Sequence, residues 1–486
     1  MFKRCLVAAS PLIFAGLLSA CATGGFAERH AALELPEKWN GAPVDGQKIS
    51  NADASANWWT LFGDLALNQL VDEALKNNAD LSVAIARVDE ARSQLGITAA
   101  DQAPVVTGSL GHRRTRLSQL GGTPLPPGIN PESNNNRATL DVSYEIDLWG
   151  RYRNASKAAR ADLLASEAAR DTVRITLAAQ VVQGYFALAA LDAQIAATRR
   201  MLEGRRETLK LQGLRLQAGV ISEFELNQVE AELAATEAQL PDLARQRTQQ
   251  QNALTLLLGR SPKAIVEGNI ERATLANAQP VELLVPDGLP SDLLLRRPDL
   301  HEAEQRLIAA NARIAAARAG YFPSISLTGY LGSESAALGD LFTGPARIWQ
   351  FGANLLQPIF NADRVGYQVE AASARERQAL AQYEQAIRNA FRDVQDALAA
   401  QTAAREILVA TQRRSEVLTK TLSTAQLRYK NGISSQLDVL DTERNLLQAE
   451  LSRIDAQRAQ RAAIADMFKA LGGGWSATGN GSAKPE

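Results

Sequence analysis

Cys21 closes the segment Leu18-Ser19-Ala20-Cys21, a run of small residues ending in a thiol. Ahead of it stand Lys3 and Arg4 and an apolar run from Leu6 through Leu18, the layout of a secretory leader, too short and wrongly flanked for a membrane-spanning helix. The pattern reads as a lipoprotein cleavage box. Removal of residues 1–20 makes Cys21 the first residue of the mature chain and its side chain the point of acyl attachment. Each buried methylene contributes about 0.8 kcal/mol, and two or more acyl chains anchor a protein stably where one does not. The alternative is an ordinary leader with a chance cysteine behind it.

Little else in the chain could do chemistry. His30, His112 and His301 are far apart, with no metal-ligand spacing, and neither a phosphate-binding loop nor a nucleophile elbow occurs. No enzyme activity and no cofactor are expected. Cys5 leaves with the leader, so the single remaining cysteine excludes an intramolecular disulfide. Loss of Lys3 and Arg4 moves the formal charge from -1 to -3, near neutral for a chain of this length, which gives no electrostatic footprint for a nucleic acid.

The positioning elements are duplicated. Residues 80–111 match 299–330 at a constant offset of 219: Asp80 meets Asp299, Ala84 meets Ala303, Arg87 meets Arg306 and Pro104 meets Pro323. Residues 214–259 match 427–472 at an offset of 213, with Gly219 meeting Gly432, Ser222 meeting Ser435 and Gly259 meeting Gly472. Two homologous halves of roughly 210 residues follow. Each holds one long proline-free segment, 151–217 and 363–430. In the first, Val181, Leu188, Ile195, Leu202, Leu209 and Leu216 recur every seven residues, a period that winds a helix into a left-handed supercoil with its neighbours. At about 1.5 Å per residue such a helix is about 100 Å long. The second keeps Val394, Leu408, Leu422 and Tyr429 of the series but is interrupted by Gln401 and Ser415. Gly219 and Gly432 mark reversals, after which return helices run over about 221–258 and 434–470. Pro241, opposite Ile454, is expected to break the first of these.

Between short and long helices the period changes to two. Leu140, Val142, Tyr144, Ile146 and Leu148 alternate with Asp141, Ser143, Glu145 and Asp147, which makes one apolar and one acidic face. Strands are expected at about 105–116, 138–148, 323–333 and 347–358, a length that suits a transmembrane β-strand. A half-buried sheet in a soluble domain has the same pattern. In a membrane, however, four strands leave two open edges, which hydrocarbon does not tolerate, so several chains must share one barrel. Twelve strands from three chains would be wide enough for an acid-lined interior to stay wet, although spacing and composition do not themselves give the number of chains.

Specific motifs resemble one family. The stretch Pro286-Asp287-Gly288-Leu289-Pro290-Ser291-Asp292-Leu293-Leu294-Leu295-Arg296-Arg297-Pro298-Asp299-Leu300 resembles the central motif of the outer-membrane efflux lipoproteins typified by OprM and NodT, within the TolC superfamily. Trp58-Trp59, Phe62, Asp64, Leu67 and Asn78-Ala79-Asp80-Leu81 are similar to that family's opening motif, and Asp147-Leu148-Trp149-Gly150-Arg151 and Phe322-Pro323-Ser324-Ile325 also match. Ala22 and Thr23, where Asp is absent, resemble outer-membrane sorting.

The resemblance implies a mixed α and β membrane protein: a homotrimer whose long α-helical periplasmic barrel continues into a shared transmembrane β-barrel, four strands per chain. Its implied role is the passive exit duct of a tripartite efflux system, docked to a periplasmic adaptor and an inner-membrane pump. A lipoprotein coiled-coil tether or adaptor without a pore is the competing reading. The organisation is then signal peptide 1–20, lipidated segment 21–60, first repeat 61–260, equatorial linker 261–297, second repeat 298–472 and tail 473–486. Tyr429, Ser434, Asp438 and Asp441 fall where the family has its constricting ring; solvated helix residues after a turn are the plainer reading of the two aspartates. Gly219, Val220 and Ile221 with Gly432 and Ile433 fall at the adaptor-docking tips, although Val220 and Ile221 could instead pack the turn internally.

Overall fold

A computed structural model describes residues 57–120, 122, 126, 128–275 and 296–473. Cys21 and most of the central motif, residues 286–295, lie outside them. After a 3₁₀ turn at Trp58–Phe62 come α1 (Leu65–Asn77), α2 (Ala79–Ala100), β1 (Val105–Arg116), β2 (Glu132–Ile146), α3 (Arg151–Gln217), α4 (Glu223–Leu257) and the short α5 (Pro262–Glu267). The second half supplies α6 (Pro298–Arg318), β3 (Ser324–Ser335), β4 (Arg347–Leu356), α7 (Arg364–Lys430) and α8 (Gln436–Ala470).

The repeat holds to the residue. α3 and α7 each have 67 residues, α4 and α8 each have 35, and all four ends are displaced by the same 213 positions. Val181, Leu188, Ile195 and Leu202 are buried as the seven-residue series requires, whereas Ser415 is the buried residue opposite Leu202 in the second copy. One stretch of α3 is long and apolar enough to cross a membrane by composition, but 61% of it is buried among neighbouring helices.

Pro241 does not break α4, which runs unbroken through it. The lost N–H frees only the carbonyl of Glu237, and both Pro241 and Glu237 lie on the exposed side of the helix in this chain, where water can satisfy that oxygen. The second strand begins at Glu132 rather than near 138 and ends at Ile146 rather than 148. The first difference arises because Glu132–Asn136, which lacks alternation, is recruited by pairing with His112–Arg116. At the other end Asp147 leaves the ladder and accepts from the Arg153 N–H at 2.8 Å, at the start of α3.

The four strands form one antiparallel sheet in the order β1-β2-β3-β4. The central seam joins the two halves, with Leu140 opposite Leu331 and Ile146 opposite Ile325. A Cβ at Gly332 would come 2.1 Å from the Ala138 carbonyl oxygen, so only glycine permits this approach. At the helical end of the sheet Trp149 stacks on Phe322 with ring centroids 4.6 Å apart and donates to the Pro323 carbonyl at 2.7 Å.

The apolar core sits where the termini of several helices meet. Trp58 stacks on Phe468 of α8 at 4.8 Å, and Phe62 meets Phe186 of α3 at 4.9 Å. Asp64 caps α1 by accepting from the Ala66 and Leu67 N–H groups and also accepts from the Tyr185 hydroxyl, whose oxygen accepts in turn from Ala273 N–H at 2.9 Å. Arg297, the last arginine of the central motif, donates to the Ala470 carbonyl at 3.0 Å and to Asp299 and Asp393. The family-like motifs thus bind the N-terminal segment, α3, α7 and α8 into one collar.

Candidate gate, tip and channel wall

The two turns at the end of the hairpins are built alike. Val220 N–H donates to the Arg215 carbonyl at 2.9 Å and Gly219 N–H to Leu216, while Ile433 donates to Arg428 at 2.9 Å and Gly432 to Tyr429. This pair of bonds satisfies the last helical carbonyls and requires a left-handed residue, supplied by Gly219 at φ 73° and Gly432 at φ 71°. Val220 and Ile433 are thereby turned outward, 68% and 64% exposed, with Phe224 and Leu437 exposed beside them. Ile221 is half-buried.

Immediately after each turn a reciprocal cap starts the return helix. Ser222 N–H donates to Glu225, and Ser435 N–H donates to Asp438 Oδ2 at 2.9 Å while Asp438 N–H donates to Ser435 Oγ at 3.3 Å. Asp438, read from sequence as a ring or solvated carboxylate, is therefore engaged in holding the start of α8. No local signal beyond Ser-x-x-Asp marks this role.

Tyr429 is clasped by the other copy. Its hydroxyl oxygen accepts from Gln212 Nε2 at 2.8 Å and from an Arg215 guanidinium nitrogen at 2.6 Å, and the guanidinium carbon lies 5.3 Å from the ring centroid. Gln212 also donates to Gln436 at 3.0 Å. Ser434 is half-buried, and its hydroxyl makes no hydrogen bond among the described residues.

Asp441 stands one turn into α8 and is held by Arg444 and by Asn445. Arg444 reaches on to Glu232 of α4 at 3.5 Å. Glu232 accepts from Arg205 at 3.1 Å, and Arg205 Nε lies 3.8 Å from Glu443 Oε2. The sequence reading missed Gln212, Arg215, Glu232, Arg444 and the buried pair Arg205–Glu443. Burial pushes the Glu443 carboxyl above its usual range, Arg205 opposes that rise and Glu232 adds to it.

The sheet separates its faces cleanly. Register places Val106, Leu110, Leu140, Val142, Leu331, Trp349 and Leu355 on one side. Thr107, Ser109, Thr139, Asp141, Ser143, Glu145, Thr328, Tyr330 and Gln350 lie on the other. On the polar side Asp141 accepts from Ser109 at 3.1 Å and from Thr139 at 2.9 Å, and Arg137 lies 4.4 Å over the Tyr330 ring. The apolar side is largely open: Leu110 is 80% exposed and Phe351 78%.

The chain matches the family model described as "Outer membrane efflux protein" over residues 70–260 and 289–473. It belongs to that family. It is 34% identical over 475 residues to the "Probable outer membrane lipoprotein SilC" of Salmonella typhimurium, covering 98% of this chain and all of that one. It is 35% identical to the outer membrane protein OprJ of Pseudomonas aeruginosa over 96% of this chain and 95% of OprJ. Among solved structures, the Campylobacter jejuni CmeC outer membrane channel superposes with a TM-score of 0.86 at 29% identity, over 91% of this chain and 94% of CmeC. As an outer membrane efflux protein, the chain resides in the outer membrane and extends into the periplasm. Its fold is a helical periplasmic barrel continuous with a transmembrane β-barrel, to which each of three chains gives four strands.

Proposed function

We propose that this chain is the passive outer-membrane exit channel of a tripartite efflux system, lipid-anchored through Cys21 and docked to a periplasmic adaptor fed by an inner-membrane pump. One observation carries the reading: a four-stranded sheet with a broad apolar band on one face and a polar opposite face is continuous, through Trp149 and Phe322, with two helical hairpins of matched length. Three such sheets close without edges, put the apolar faces to lipid, and line a wide wet interior with Asp141 and Glu145. A coiled-coil tether has no use for that division.

The tips carry two tasks in this reading. Val220 and Ile433, on the rigid turns made by Gly219 and Gly432, offer exposed apolar contacts to an adaptor hairpin, with Ile221 fixing the first turn from inside. Tyr429, Ser434, Asp438 and Asp441 form the closing region. The Gln212–Tyr429–Arg215 clasp holds the second hairpin against the first, and Asp441 is aimed by Arg444. Threefold repetition multiplies any change there, which is how modest adaptor contacts open the mouth.

The decisive experiment is single-channel recording of purified protein in planar bilayers. Rare openings in the natural chain and frequent ones in Tyr429→Phe are expected. Consistent absence of conductance in both, with intact trimers, would replace the channel reading by the tether.

A further inference from the structure

At the end of the sheet far from the helices, the apolar face gives way to basic side chains on the same side of the strands. Even-numbered residues of β1 share that face, and Leu110 opposite Ala138 is followed by His112, Arg114 and Arg116, opposite Asn136, Asn134 and Glu132. Arg114 donates to Glu132 Oε2 at 2.7 Å and Arg116 to Oε1 at 3.3 Å. One carboxylate is thus shared by two guanidiniums, each with five donors, so a positive charge and most donors are left over. Asn136 Nδ2 donates to the carbonyls of Ser335 and Ala336, which assigns its Oδ1 as the atom 2.7 Å from His112 Nδ1. His112 Nδ1 therefore carries a proton and donates.

Directly below lies an open groove of about 490 Å³, floored by Gly108, Leu110, Ala138, Leu140 and Leu331 and overhung by Phe342. Phe342 is 83% exposed although its neighbour Leu341 is fully buried and anchors the loop. Gly108 leaves the trough open between Leu110 and Leu140. Arg347, exposed in β4 opposite Ser333, stands at the far margin of the groove.

The heights match a bilayer boundary. Arg114 is four residues beyond Leu110. At about 3.3 Å per residue and a strand tilt of about 40° it lies about 10 Å above the end of the apolar band. Headgroups occupy about 5–8 Å beyond the hydrocarbon, and from this height a long arginine side chain reaches back into that layer, so its guanidinium meets phosphate rather than acyl chain.

We infer that His112, Arg114 and Arg116, with the groove beneath them, form a binding site for a phosphate-bearing, multiply acylated lipid of the outer leaflet. The phosphate displaces or joins Glu132 at the two guanidiniums, and an acyl chain lies against Gly108 and Phe342. A bidentate guanidinium–phosphate pair gives orientation as well as attraction. The inference rests on the reading of the sheet as a membrane wall.

The test is native mass spectrometry of the detergent-purified trimer titrated with diphosphoryl lipid A, its dephosphorylated form and inorganic phosphate, alongside bilayer conductance on the same samples. The natural chain is expected to bind the diphosphoryl lipid at least tenfold more tightly than the dephosphorylated one, and inorganic phosphate at millimolar concentration is expected not to displace it. Arg114→Gln with Arg116→Gln is expected to erase that preference and keep normal conductance. Phe342→Ala, which leaves the strands untouched, is expected to weaken both lipids equally. Equal binding of the two lipids by the natural chain, or an unaltered preference in the double variant, would overturn the site while normal conductance leaves the channel standing. Absence of conductance in every sample would instead overturn the channel reading. If the double variant does not assemble, loss of the phosphate preference of the natural chain at 0.5–1 M salt, about the range where the Debye length falls to a few ångströms, supports the site, and its persistence refutes it.

Discussion

Arg205 Nε and Glu443 Oε2 face each other across 3.8 Å between α3 and α8, with the two side chains only 3% and 9% exposed. Arg205 is the junction of the three helices: it also donates to the Glu232 carbonyl and carboxylate and to the Thr236 hydroxyl of α4. Removing the cation leaves Glu443 buried and uncompensated, so Arg205→Met is expected to cost about 3–5 kcal/mol. Chemical denaturation of the trimer checks it, and a cost below about 1 kcal/mol would show that the pair is not structural.

Glu443 also sets a pH dependence. Its carboxyl is raised above the unfolded value of 4.5 mainly by burial, so between the two values the folded state holds the extra proton. The stability due to this group is fully present below pH 4.5 and is lost as pH rises through the elevated folded value. Glu443→Gln should flatten that slope. It should also cost less than Arg205→Met, because Arg205 keeps Glu232. Denaturation midpoints measured from pH 4 to 8 on both variants, a range of about four decades in proton activity, decide this.

The two aspartates at the tip should behave differently. Asp438→Ala removes a reciprocal cap and is expected to destabilise the start of α8 by about 1 kcal/mol, with recovery in Asp438→Glu, the residue type that caps the first copy at Glu225. Asp441→Ala should change stability by under about 0.5 kcal/mol yet raise resting conductance and lower cation preference. Reversal potentials in a salt gradient and thermal melts on both variants separate the roles; identical behaviour would merge them.

The wall makes a parity prediction. Val142→Arg should diminish heat-resistant trimer on a gel, since arginine facing lipid near the bilayer midplane costs about 2–4 kcal/mol per chain. Ser143→Arg, one residue on and opposite in face, should assemble normally. Equal loss in both would remove this strand from the membrane.

Cys21→Ala is expected to abolish incorporation of a labelled fatty acid while trimers still form, because the barrel itself supplies insertion. Label retained by the variant would refute the cleavage box.

Periodicity carries whatever is local. The seven-residue series, the alternation of Leu140 to Ile146 and the glycines at both reversals are readable because each is a property of a few neighbouring residues, and the offset of 213 because the chain can be compared with itself. Other outcomes were decided by distant partners. Residues 132–136 are a strand only because β1 supplies hydrogen-bonding partners, and Pro241 stays helical because its freed carbonyl meets solvent on the exposed side of α4. Gln212 and Tyr429 are 217 residues apart, as Arg205 and Glu443 are 238, and no spacing along the chain announces either pair. Polar side chains buried between helices must find partners across the interface, and which partners are within reach follows from how the two copies pack. That packing is set jointly by both halves and by the places, such as Ser415 opposite Leu202, where the halves differ.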